Sequence, residues 1–136
     1  MSLNKFSTVW FQVILILLTS LLVACGEDRE AADKVSSTLG NSIIEELNNQ
    51  NICESYKDCM EKLGQEWITQ GGGYKNSVTY HFFIPTHIKL DFQKILPFFE
   101  KAHQKTGVKI KVFFYAGTHQ QYRDGTAKKM ISVNYN

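Results

Sequence analysis

The sequence lacks the short motifs that identify a known type of reaction or ligand. Four histidines are present, but no two of them stand at the spacing of metal ligands, and neither HExxH nor CxxC occurs. Zinc-protease, zinc-ribbon and thioredoxin-like functions therefore have no support. A P-loop and the GxSxG elbow of serine hydrolases are missing as well. We expect neither a cofactor nor a catalytic function.

Long linkers, internal repeats and low-complexity segments are also lacking, so residues 31–136 are predicted to form one domain. The charges are unevenly distributed. Residues 26–66 contain ten acids and four bases, whereas residues 67–136 contain three acids and ten bases. The two halves could pack against each other, or the basic half could face phosphates such as lipid head groups. No block of five or six like charges occurs, which favours the first interpretation.

The first 24 residues have the layout of a secretory signal. A positive charge at Lys5 precedes an apolar run over residues 9–22. Small residues then precede a cysteine in the order Leu22-Val23-Ala24-Cys25. This arrangement resembles the lipobox of bacterial lipoproteins. The resemblance is confined to this N-terminal stretch and does not extend to the rest of the chain.

The resemblance implies that a diacylglyceryl group is attached to Cys25 and that a peptidase removes residues 1–24. Residues 25–30 then form a lipidated tether to the membrane. In many lipoproteins an Asp after the cysteine causes retention in the inner membrane. Gly26 at that position implies an outer-membrane location facing the periplasm. The alternative is an uncleaved transmembrane helix over residues 9–24, but about 24 Å of helix is short for a bilayer core of about 30 Å.

The three cysteines give an odd number, which usually leaves a free thiol in an exported protein. Lipid attachment uses Cys25 and leaves Cys53 and Cys59 in an oxidising compartment, where we predict a structural disulfide between them. Six residues of straight helix separate two Cα atoms by about 9 Å, further than the roughly 7 Å that a disulfide spans. The segment between them must therefore contain a turn.

Apolar residues at helical spacing predict one helix over residues 31–47 and a second over residues 56–67. Ser55 is the expected N-cap of the second helix, with Asp58 three residues further on. A strand over residues 66–69 is the alternative for the end of the second helix, because Trp, Ile and Thr favour strands.

After the triple glycine at residues 71–73 the pattern changes. Alternating apolar residues predict three strands, over residues 78–84, 108–115 and 127–135. Helical spacing over residues 92–102 predicts a helix between the first two, in which Pro97 marks either a kink or the first turn.

This order, α-α-β-α-β-β, predicts an α+β fold with two layers. Helices should pack on one face of a three-stranded sheet, similar to part of a ferredoxin-like fold. The first two strands should be parallel and the last two should form a hairpin-like pair.

The polar segment Gly117–Thr126 is the expected place for partner contacts, because loops carry function more often than sheets. An ordinary solvated hairpin loop is the alternative. Two lysines on the preceding strand either discourage pairing at a sheet edge or join Phe113 and Tyr115 in a basic and aromatic surface. The candidate partner-binding residues are His119, Gln121, Tyr122, Arg123, Lys109 and Lys111.

We therefore expect a lipid-anchored envelope protein that binds a protein partner and is not an enzyme. An adaptor, an inhibitor or immunity-type protein and an exclusion factor all fit this description. The alternative is a small enzyme acting on cell-wall or lipid material. Nucleic acid is not an expected partner, because the compartment contains little of it.

Overall fold

The computed structural model describes residues 29–72 and 75–136. The signal segment 1–24, the lipobox cysteine Cys25 and residues 26–28 lie outside this part of the chain. Within the described ranges, no helix has both the length and the apolar character needed to cross a membrane.

Residues 29–72 and 75–136 contain five α-helices and four strands, so the predicted α+β class is confirmed. A short 3₁₀ turn, Phe92–Lys94, precedes the fourth helix. The helices are α1 (29–39), α2 (Ser42–Asn49), α3 (Tyr56–Leu63), α4 (Leu96–Thr106) and α5 (His119–Arg123). The strands are β1 (Ile68–Gly72), β2 (Ser77–Ile84), β3 (Lys109–Ala116) and β4 (Lys128–Tyr135).

The four strands form one mixed sheet in the order β1-β2-β3-β4. β2 and β3 are parallel and are joined through α4, and β3 pairs antiparallel with β4, as predicted. The prediction of three strands was wrong because β1 adds a fourth, antiparallel to β2. The strand alternative for residues 66–69 was therefore closer to the structure than a helix reaching Trp67.

The predicted first helix is two helices, because the chain turns at Gly40. The φ angle of Gly40 is +52°, in the left-handed region that glycine adopts without a steric penalty. The apolar stripe nevertheless continues across the break. Val35 and Leu39 on α1 and Ile43 and Leu47 on α2 are all buried in the same core.

α3 begins as predicted and ends earlier. The Ser55 hydroxyl accepts a hydrogen bond from the backbone N–H of Asp58, which satisfies one of the free donors of the first turn. The helix stops at Gly64, whose φ of +110° is incompatible with helix. Trp67 therefore lies beyond the helix, where its carbonyl accepts a hydrogen bond from the N–H of Phe83 on β2.

Cys53 and Cys59 form the predicted disulfide. Their Cα atoms are 5.0 Å apart, because Cys53 precedes the helix and only Cys59 belongs to it. Both residues are buried in the core. The bond thus holds the loop before α3 against the helix itself.

We expect the double variant Cys53→Ala/Cys59→Ala to lose about 2 kcal/mol of unfolding free energy, because the unfolded chain regains the entropy of a small closed loop. Urea denaturation of the oxidised wild type and the variant measures the difference. Alkylation of protein isolated from cells without reduction, followed by mass spectrometry, should label neither Cys53 nor Cys59. Two free thiols in that sample would contradict the disulfide.

One face of the sheet forms the core with α1 to α4. α4 begins at Leu96, so Pro97 belongs to its first turn and does not kink it. Gly107, with a φ of +71°, ends the helix in the left-handed conformation. The sheet residues that face these helices are Val78, Tyr80, Phe82, Ile110, Val112 and Phe114.

Candidate functional site

The second face of the sheet is not covered by α1 to α4, and we call it the open face. Its residues alternate with those of the core along each strand and pair across neighbouring strands. Most of them are exposed or half-buried. The open face consists of Thr69, Gly71, Ser77, Thr79, His81, Phe83, Lys109, Lys111, Phe113, Tyr115, Lys129, Ser132 and Asn134.

Four rings on β2 and β3 form the centre of the open face. His81 stacks on Phe113 with centroids 5.0 Å apart and planes 10° apart, and Phe83 stacks on Tyr115 at 5.3 Å and 20°. These separations are close to the roughly 4.8 Å between neighbouring strands, so the rings stack along the direction between the strands. They therefore stand on edge, with their rims directed away from the sheet.

The segment Gly117–Thr126, which we expected to be a polar loop, contains a short helix, α5. Thr118 and Gln121 form a reciprocal capping box, in which each side chain accepts a hydrogen bond from the other residue's backbone N–H. The carbonyl of Gln121 also accepts the N–H groups of Thr126 and Ala127. Gln121 therefore holds α5 in shape through both its side-chain oxygen and its backbone carbonyl.

α5 lies over one end of the open face. Tyr122 contacts the rings of Phe83 and Tyr115 at 5.1 and 4.9 Å, and His119 contacts Phe83 at 4.9 Å. Phe83 is thereby only 2% exposed, although it is on the side of the sheet opposite the core. Tyr122 itself remains 42% exposed. The rings form a small second apolar cluster with an accessible surface.

Gly117 fixes the connection between β3 and α5. Its φ is +134°, and a Cβ at this position would lie 2.9 Å from the Cβ of Ala127. Its N–H donates to the carbonyl of Ile84 at the end of β2, at 2.7 Å. Both the backbone conformation and the close approach require glycine. The Gly117–Ile84 hydrogen bond therefore joins the start of the connection to α5 to the end of β2.

The open face is basic. None of the four strands contains an Asp or a Glu, whereas Lys109, Lys111 and Lys129 all project from this face. β3 is paired on both sides, so its lysines do not protect a sheet edge. The second sequence interpretation, a mixed basic and aromatic surface, agrees with this arrangement.

Burial shifts the pKa of two titratable side chains in this cluster, His81 and Tyr115. The pKa of His81 is lowered, first by burial and second by the nearby charge of His119. The neutral ring is therefore favoured in the folded state. Its contribution to stability is present above the ordinary histidine pKa and is lost as the pH falls through the lowered value. Burial and Tyr122 raise the pKa of Tyr115.

A cleft of about 390 Å³ separates α5 from the segment after α3. A carboxylate oxygen of Glu66 pairs with Nδ1 of His119 across it, and Arg123 lines the same cleft. The Thr118 hydroxyl, which lines the same cleft, accepts a hydrogen bond from the backbone N–H of Gln121 as the helix cap. Trp67 also lines the cleft, and its Nε1–H is buried without a partner in the described ranges. This arrangement suits the binding of charged and polar groups.

The structure brings some of the candidate residues together. His119, Tyr122 and Arg123 lie on α5 beside the end of β2, whereas Lys111 and Lys109 follow along β3 away from α5. Sequence reasoning missed His81 and Phe83, which are central to the ring cluster. Their alternation with core residues along β2 was the available signal.

In the described part of the chain, no group of three or more His, Cys, Asp or Glu residues could hold a metal ion. Comparisons with protein-family models, curated proteins and solved structures find no match for this chain. The functional argument therefore depends on the geometry of the open face and α5.

Proposed function

We propose that this protein is a lipid-anchored envelope protein that binds a protein partner through the open face and α5. The single observation that carries the proposal is the ring cluster on the open face. Half-exposed aromatic rings beside lysines, on a sheet face that α1 to α4 leave uncovered and α5 covers at one end only, are typical of a surface that a partner covers. Tyr and Arg, the residue types that dominate interface energies, both project from α5.

The position of the proposed anchor supports this function. Glu30 and Lys34 of α1 line one cavity together with Asn76, so α1 begins beside the start of β2. We call this end of the sheet the near end. β2 then runs eight residues, roughly 26 Å, to the far end, where α5 lies. If Cys25 carries the lipid, the chain from Cys25 to residue 29 can extend by at most about 14 Å. The near end would face the membrane and α5 would face the periplasm.

We expect the double variant Lys111→Glu/Arg123→Glu to bind the partner at least 30-fold more weakly than the wild type. Loss of an interface Arg typically weakens binding by about 2 kcal/mol, and charge reversal adds repulsion. A photo-crosslinking amino acid at Ser132, on the open face, would be used in cells. The amount of each crosslinked product would be compared by mass spectrometry between wild type and variant.

Lys101→Glu is the matched control, because Lys101 is exposed on α4 in the helical layer. It should leave the crosslinks unchanged, and all variants should melt within a few degrees of the wild type. Tyr122→Ala is less suitable, because Tyr122 covers Phe83 and its loss would also lower stability. Equal crosslinking in the wild type and the double variant would disprove this surface. Turnover of cell-wall or lipid material by the purified protein would favour the enzyme alternative.

A further inference from the structure

β4 is a long sheet edge with an available backbone. It pairs only with β3, and in the described ranges no backbone hydrogen bond joins it to any other segment. It is eight residues long, contains no proline, and each of its residues is exposed or half-exposed. The other edge strand, β1, has five residues and ends in two glycines. An added strand would therefore pair more extensively with β4.

An apolar slot opens beside this edge at the far end of the sheet. Its volume is about 180 Å³, and it is lined by Pro85, Ile88, Leu90 and Phe92 together with Met130 of β4. Pockets for small molecules usually measure about 300 to 1,000 Å³, so the slot suits a single apolar side chain. Met130 stands at an irregularity in the β3–β4 pairing and is 53% exposed.

A second copy of the chain does not suit this edge when both copies are anchored. Antiparallel pairing of two β4 strands would place the near end of one copy beside the far end of the other, roughly 26 Å from the membrane. A tether of about 14 Å does not span that distance. Parallel pairing keeps both near ends at the membrane, but it places Lys128 and Lys129 of one copy opposite the same residues of the other, which is repulsive.

We propose that β4 binds an extended, acidic segment of a different protein as a fifth strand, with one apolar side chain of that segment in the slot. This inference rests on the proposed function, because the tether and the protein partner are part of it. Backbone hydrogen bonds along β4 supply affinity, and Lys128 and Lys129 select carboxylates on the added strand. The slot at Met130 fixes the register of the segment.

The test uses the purified, detergent-solubilised mature protein and nine-residue peptides of alternating Val and Glu with a central Leu. Two further peptides carry backbone N-methyl groups on the odd or on the even residues. The backbone N–H groups of a strand point alternately to its two edges, and the peptide would pair with β4 through one of them. Methylation of the residues whose N–H groups face β4 should therefore abolish binding, measured by fluorescence anisotropy. Methylation of the other residues should not. Hydrogen exchange of alternate amides in β4 should slow when the unmodified peptide is bound.

Charge reversal supplies the control. The wild type should bind the Glu peptide at least tenfold more tightly than a peptide with Lys in place of Glu. Lys128→Glu/Lys129→Glu should reverse that preference, and Lys101→Glu/Lys105→Glu on α4 should leave it unchanged. Failure of the Glu peptide to bind, equal binding of both methylated peptides, or an unreversed preference would overturn the proposal. A dimer of the wild-type protein that Lys128→Glu/Lys129→Glu dissociates would also overturn the proposal. Loss of open-face crosslinks in cells tests the proposed function separately.

Discussion

Replacing Cys25 with serine is expected to abolish the membrane attachment that we propose for this protein. Serine has no thiol to receive the diacylglyceryl group, so the precursor should accumulate uncleaved or the chain should appear in the soluble fraction. Each buried CH₂ contributes about 0.8 kcal/mol, so two or three acyl chains make attachment effectively permanent. Fractionation of cells and the intact mass of the protein measure both outcomes. The effect should be nearly complete.

The double variant Cys53→Ser/Cys59→Ser is the matched control, because it removes the other two cysteines and leaves the lipobox intact. It should remain cleaved and membrane-bound. Normal processing and membrane retention of the Cys25→Ser protein would refute the lipoprotein assignment. The conclusions about the Cys53–Cys59 disulfide and the open face do not depend on that result.

The second large effect is expected in the core. Phe82→Ala should lower the unfolding free energy by about 3 to 5 kcal/mol, because a buried phenylalanine loses its burial and leaves a cavity. Phe82 is fully buried, and its ring contacts those of Trp67, Phe99 and Phe114 at 4.6 to 6.1 Å. Urea denaturation of the oxidised protein measures the change.

Tyr56→Ala is the control for this measurement. Tyr56 is also aromatic but is 54% exposed on α3, so its loss should change the free energy by less than about 1 kcal/mol. If the two variants were equally stable, the arrangement of rings around Phe82 would be wrong. A change in the slope of the unfolding curve would indicate altered compactness of the unfolded or native state, or a transition that is no longer two-state.

The sequence predicted the elements whose periodicity is set by one buried face. β2, β3 and β4 alternate apolar and polar residues, and the stripe of α4 follows helical spacing, so their positions were found within a few residues. β1 was left ambiguous because its sequence, Ile68-Thr69-Gln70-Gly71-Gly72, has almost no alternation. Its strand conformation depends on pairing with β2, which is a tertiary interaction.

The candidate site was predictable only in part for the same reason. The Thr118–Gln121 pair had the spacing of a capping box and could have identified α5, but a helix of five residues leaves no periodic pattern. His81 and Phe113 meet because β2 and β3 are neighbours in a particular register. The sequence does not specify that register, so the stacked rings were visible only as two separate strand residues.

Trp67 also gives the molecule a built-in optical reporter. Removal of residues 1–24 would leave it as the single tryptophan of the mature chain. Its indole is 1% exposed, touches Tyr56 on the disulfide-bonded helix and lines the cleft beside His119. Emission from a shielded indole shifts to longer wavelength when water reaches it. The fluorescence of the unlabelled protein therefore reports from one point between the disulfide and the cleft, where unfolding or an occupied cleft would change the signal.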